Sequence, residues 1–115
     1  MQKTILAIDD DEALLDFYRI MLKSFGTILT ASDLAEARQI TEKVDLIILD
    51  FNLDNDPELF QDVVAELKGI APILLCSGVQ DVLVPAFGAT LGIVGYWNKS
   101  SDRSRLLELV STALR

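Results

Sequence analysis

The 115-residue chain contains no histidine and a single cysteine. Without an imidazole, the chain supplies no histidine base, no histidine metal ligand and no phosphohistidine of its own, so any phosphohistidine chemistry must come from a partner. One cysteine cannot form a disulfide within the chain. Cys76 sits in an apolar run with no imidazole to activate it, and reads as a small buried hydrophobe rather than a nucleophile. Basic residues are also scarce, with 10 Lys+Arg against 18 Asp+Glu and a formal charge of −8. The clustered cations that hold nucleic-acid phosphates are missing, so no direct nucleic-acid binding is expected. Long apolar runs are absent too. The stretch at 5–8 stops at Asp9, Asp10 and Asp11 and cannot serve as a signal-peptide core. The uncharged segment 82–98 is interrupted by Pro85, Gly88, Gly92 and Gly95 and falls short of the ~20 residues that a span requires. The expectation is a cytoplasmic protein with no membrane association.

What is present points to an α/β fold. The length suits one domain over residues 1–115, and no repeat, linker or low-complexity tract divides it. Short apolar runs recur: Thr4-Ile-Leu-Ala-Ile8, Thr27-Ile-Leu-Thr30, Asp45-Leu-Ile-Ile-Leu49, Pro72-Ile-Leu-Leu-Cys76 and Ile93-Val-Gly-Tyr-Trp97. Continuous rather than alternating hydrophobicity marks strands covered on both faces, as in parallel sheets. Between them, Leu14, Phe17, Tyr18, Met21, Leu22 and Phe25 fall at helical spacing, with Gly26 where a C′ residue would stand. Asp33 with Glu36 resembles a capping box. Asp56 before Pro57 gives an N-cap and first-turn pair for a helix carrying Phe60, Val63, Val64 and Leu67 and stopping at Gly69. A weaker helix is expected near 81–91, and Ser101 or Asp102 can cap a last one with Leu106, Leu109, Val110, Ala113 and Leu114 inward. Five strands alternating with five helices predict a flavodoxin-like doubly wound parallel sheet, with ligands at the carboxyl ends of the strands.

Those strand ends carry Asp9, Asp10 and Asp11 after the first strand, Asp50 and Asn52 after the third, Ser77 and Gly78 after the fourth, and Lys99 after the fifth. If the first and third strands are neighbours, Asp9, Asp10 and Asp50 converge on one crevice. Converging carboxylates need a cation among them, and oxygen-only ligation favours Mg²⁺ or Mn²⁺. Lys99, the Ser77 hydroxyl and the Gly78 N–H suit phosphate oxygens.

With these residues in place, the chain resembles a response-regulator receiver domain of the CheY-like superfamily, the phosphorelay component of two-component signal transduction. The resemblance runs end to end and rests on Ile5-Leu-Ala-Ile-Asp-Asp-Asp11, Val44-Asp-Leu-Ile-Ile-Leu-Asp50, Pro72-Ile-Leu-Leu-Cys-Ser-Gly78 and Gly95-Tyr-Trp-Asn-Lys99. It implies strand order 2-1-3-4-5. It also implies that Asp50 is the phosphoacceptor for a phosphohistidine on a sensor histidine kinase or histidine phosphotransfer protein. Asp9, Asp10, Asp50 and the backbone carbonyl of Asn52 would hold Mg²⁺ (or Mn²⁺), and Ser77, Gly78 and Lys99 would bind the phosphoryl group. The switch would run through Ser77 and Tyr96 to a face within 82–115 that contacts a downstream protein or a second copy, with the apolar 82–87 segment as a contact. Such a domain is a phosphoacceptor that assists its own phosphorylation and dephosphorylation, not an enzyme acting on other substrates.

Some residues depart from the family pattern. Ser100 stands directly after Lys99 where proline is usual, and a cis bond before a non-proline costs ~3 kcal/mol. Asp54 stands where proline is common, and Asn52 and Val79 occupy positions that tune phosphoryl lifetime. These departures keep a second class open, a phosphorylation-independent interaction module of the same fold. A small Mg²⁺-dependent phosphatase fits less well, because Asn52 replaces its general acid. A flavin carrier fails because three aspartates stand where its phosphate loop wants Ser, Thr and Gly. The chain ends at Arg115 as the last helix runs out, so no output domain is expected on it.

Overall fold

The computed structural model describes residues 2–50, 57–77, 93–99 and 102–115, with only the backbone described over 57–61. Five strands, β1 (Lys3–Ile8), β2 (Gly26–Ala31), β3 (Leu46–Asp50), β4 (Ile73–Ser77) and β5 (Gly95–Asn98), form one sheet in the order β2-β1-β3-β4-β5. Every pairing is parallel. Among the described residues the α-helices are α1 (Glu12–Met21), α2 (Leu34–Arg38), α3 (Pro57–Lys68) and α4 (Arg103–Ala113), with a 3₁₀ turn at Lys23–Phe25. The expected helix near 81–91 and the 82–87 contact segment lie outside the described residues.

The continuous apolar runs resolve into two alternating faces. In β3, Ile47 and Leu49 join a core with Leu6, Ile8, Val63, Val64 and Leu67, on the side of α2 and α3. Leu46 and Ile48 point the other way, into a core with Leu15, Tyr18, Trp97, Leu106 and Val110, on the side of α1 and α4. Successive strand side chains face opposite sides, so burial on both sides requires an apolar residue at every position. β3 and β4 are accordingly buried throughout.

Local signals set the element ends. The Asp11 carboxylate caps α1 by accepting from the Ala13 and Leu14 amides at 3.0 and 3.3 Å. Asp33 caps α2 by accepting from the Glu36 amide at 2.8 Å, while Glu36 reaches back to the Ser32 amide at 3.2 Å. This is the expected capping box, closed on Ser32. Asp102, not Ser101, is the N-cap of α4, and the Asp56 cap lies outside the described residues.

Gly26 does not end α1 as its position suggests. The helix stops at Met21, the 3₁₀ turn comes next, and Gly26 opens β2 with φ +144°. A Cβ there would lie 2.0 Å from the Lys3 carbonyl oxygen, so the glycine is required by close strand approach. Gly26→Ala is expected to cost about 3 kcal/mol or more. Urea denaturation checks this, and a loss no larger than that of Gly69→Ala, whose added Cβ would come no closer than 3.6 Å to the Glu66 carbonyl oxygen, would contradict it.

Candidate functional site

The strand order makes β1 and β3 neighbours, and this brings their carboxyl ends together. Asp9 comes directly after β1 and Asp50 ends β3, and both carboxylates are buried, with residue exposures of 1% and 3%. Asp10 sits beside them, exposed, and carboxylate oxygens of Asp9, Asp10 and Asp50 all lie within 4.8 Å of one another. The β1–β3 register that sets this spacing pairs Ile8 with Leu49, one residue short of each acid.

The counter-charge comes from the far edge of the sheet. Lys99 comes directly after β5, where its amide donates to the Ser77 carbonyl at 2.7 Å. Its ammonium donates to Asp50 Oδ1 at 3.1 Å and lies 2.8 Å from Asp9 Oδ2. The Asp9 contact is a close ion pair, and among the described residues this buried oxygen has no partner besides the ammonium. The other oxygen, Asp9 Oδ1, accepts from the Asp11 amide at 2.9 Å. Three consecutive aspartates thus do three things: Asp9 is buried against Lys99, Asp10 lies exposed at the rim, and Asp11 caps α1.

Burial dominates the titration of Asp9. Loss of solvent raises its carboxyl above the usual value of 3.8, and the charge of Asp50 adds to this, while Lys99 and the Asp11 amide pull against it without prevailing. Burial also opposes the charge on Lys99, but Asp9 and Asp50 outweigh it and hold the ammonium above the ordinary lysine value.

Ser77 ends β4, the strand between β3 and β5, with 1% of its surface exposed. Tyr96 lies half-buried in β5 and packs on the α2/α3 side, while Trp97 faces the α1/α4 side. Cys76 is fully buried and its thiol is pushed up to about 12 by burial, in keeping with an inert core residue. Asn52 and Gly78 lie outside the described residues, as does the Lys99–Ser100 bond. The site thus gathers Asp9, Asp10, Asp50, Ser77 and Lys99 at one edge of the sheet. Beside it, Asp11, Leu14, Phe17, Trp97, Lys99 and Arg103 line a cleft of about 370 Å³. Phe17 and Arg103 carried no site signal in the sequence, since one reads as core and the other as a solvated charge.

The profile of the response regulator receiver domain matches residues 5–111. The chain belongs to this family. No curated protein sequence matches it. Among solved structures, the receiver shares its fold with the response regulator DrrB of Thermotoga maritima, an OmpR/PhoB homologue. Here the TM-score is 0.85 and the identity 20%, over 99% of this chain and 53% of that one. The receiver therefore spans about half of that protein. The signal receiver domain of an HD domain-containing protein from Pseudomonas fluorescens is 25% identical over 99% of this chain and 95% of that one, with a TM-score of 0.83. The chemotaxis response regulator CheY4 of Vibrio cholerae is 23% identical over 99% and 100%, with a TM-score of 0.78. Among the described residues of this receiver, no helix is long and apolar enough to cross a membrane.

The raised Asp9 value ties the stability of the fold to pH. The native state holds the Asp9 proton more tightly than the unfolded chain, so stability falls as pH rises from 3.8 through the raised native value. Asp9→Asn is expected to raise the melting temperature in metal-free buffer near pH ~7, with the gain shrinking as pH falls toward the unfolded carboxyl value. An unchanged or lower melting temperature near neutrality would contradict it. Lys99→Met leaves two buried carboxylates uncompensated, and is expected to destabilise the metal-free receiver by about 3 kcal/mol in urea unfolding.

Proposed function

We propose that the receiver accepts a phosphoryl group at Asp50 from a phosphohistidine on a partner histidine kinase or phosphotransfer protein. The supporting observation is the Lys99 ammonium held between two buried carboxylates at the carboxyl ends of β1 and β3. In the proposed step an Asp50 carboxylate oxygen forms the new bond to phosphorus as the phosphorus–nitrogen bond breaks, and the partner imidazole leaves with the electron pair. Negative charge then moves outward onto phosphoryl oxygens. Lys99, anchored through its amide to Ser77 and with its ammonium 3.1 Å from Asp50 Oδ1, would pair with that charge, and the Ser77 hydroxyl would donate to it.

The donor set suits a hard divalent cation. Asp9, Asp10 and Asp50 offer oxygen alone, and the buried Asp9 Oδ2 has only the Lys99 ammonium beside it among the described residues. These three residues would hold Mg²⁺ or Mn²⁺, which when bound supplies charge neutralisation on the phosphoryl oxygens. The receiver acts as a phosphoacceptor, and the outcome of phosphorylation is a changed protein-contact surface within 82–115, toward a downstream protein or a second copy. A single domain and a cytoplasmic setting complete this reading.

Intact mass after incubation with a small acyl phosphate tests it. One added phosphoryl group that needs both Mg²⁺ and Asp50, and is lost in Asp50→Asn, is the expected result. No addition, with Trp97 emission unmoved by Mg²⁺, would overturn the proposal in favour of a phosphorylation-independent interaction module.

A further inference from the structure

Lys99 comes directly after β5, with its ammonium between Asp9 and Asp50. Its own amide is tied to Ser77. Ser100, next in sequence, has no ring to fix its φ as a proline would. The next described anchor is Asp102, and the tie to it comes from a side chain two residues before the lysine. Trp97 Nε1 donates to the Asp102 carbonyl oxygen at 3.3 Å. The same oxygen accepts the Arg105 amide at 3.1 Å, the first hydrogen bond of α4.

The indole is itself packed against two rings of α1. Its ring lies nearly parallel to that of Phe17, with centroids 6.2 Å apart at 6°, and edge-on to Tyr18 at 6.4 Å and 62°. Only 2% of Trp97 is exposed, and a buried indole N–H left without an acceptor is costly. A phenyl or aliphatic side chain would fill much of the same space but could make no such bond. The N–H is the feature that packing alone leaves unexplained.

We infer that Trp97 is a positioning residue for Lys99. Its indole N–H ties β5 to the first turn of α4 across the segment just after Lys99, and so keeps the ammonium between Asp9 and Asp50. Only the catalytic consequence of this inference rests on the phosphoacceptor reading.

The test replaces Trp97 with 3-benzothienylalanine, which keeps the ring shape and lacks the N–H, beside Trp97→Phe as a second variant. The first readout is amide hydrogen exchange in metal-free protein. The Lys99 amide is expected to exchange roughly tenfold faster in both variants, the size of one lost hydrogen bond, while the Ile48 and Leu75 amides keep their protection and so report an intact fold. The second readout is the initial rate of phosphoryl uptake from a small acyl phosphate at saturating Mg²⁺. It is expected to fall about tenfold with the half-saturating Mg²⁺ concentration unchanged. In a Lys99→Ala background the Trp97 replacement should slow uptake no further, because no ammonium is left to place. Unchanged Lys99 exchange, or equal slowing with and without the lysine side chain, would overturn the inference. If the wild-type receiver takes up no phosphoryl group, the proposed function fails and the exchange measurement alone decides the role of Trp97.

Discussion

One ammonium holds the working edge of this receiver together. Asp9 and Asp50 are forced side by side because they end neighbouring parallel strands, and both are buried. Two carboxylates so placed repel each other and have lost most of their water, an arrangement that is costly unless a cation lies between them. Lys99 is that cation among the described residues, and the strand order explains its origin. It leaves β5, two strands from β3, so its ammonium must cross the end of β4, and neighbouring strands lie ~4.8 Å apart. A long, flexible side chain carrying a compact charge meets that distance. Ser77 ends the strand that is crossed, and its carbonyl takes the Lys99 amide, so backbone and side chain of the lysine are fixed by different neighbours.

The rest of the fold places those strand ends. β1, β3 and β4 stay central because each is apolar on both faces, with one core beneath α2 and α3 and another beneath α1 and α4. Helix α1 is tied to the site through Asp11, whose amide donates to Asp9 and whose carboxylate caps the helix. On the opposite face Arg38 clamps Glu66 through two bonds of 2.9 Å, joining α2 to α3. That pair is largely exposed and contributes little stability. The cores fix the layers, and the charges fix the site.

Much of this was legible in the sequence because burial on both faces leaves a mark that needs no tertiary knowledge. The runs at 4–8, 45–49 and 72–76 mapped onto β1, β3 and β4 within a residue or two, and the charged residues just past them became the site. Capping at Asp33 and Asp102 was readable for a similar reason, since those interactions close within a few residues. Interactions between distant segments left less trace. Gly26 looked like a helix terminator, because its close approach to Lys3 exists only once β2 pairs with β1. Leu15 is buried although the stripe drawn through Leu14 and Tyr18 omitted it. The Phe17–Trp97 stack and the Arg38–Glu66 clamp have no sequence signature, because core aromatics and surface charges look alike whatever their partners.

The site also carries an unspent cost. Asp9 is held above its ordinary carboxyl value, and one of its oxygens is buried with only the Lys99 ammonium beside it among the described residues. A fold selected for stability alone would do better with an uncharged residue there, since a buried ionised group whose hydrogen bonding is incomplete costs more than its ion pair returns. Lys99 limits that cost without cancelling it, because its ammonium is shared between Asp9 and Asp50. Carboxylate oxygens of Asp9, Asp10 and Asp50 lie within 4.8 Å of one another, and added positive charge among them would be most stabilising. Such a cost is concentrated where the strand ends bring the carboxylates together, while the apolar positions of the strands around it pack into the two cores.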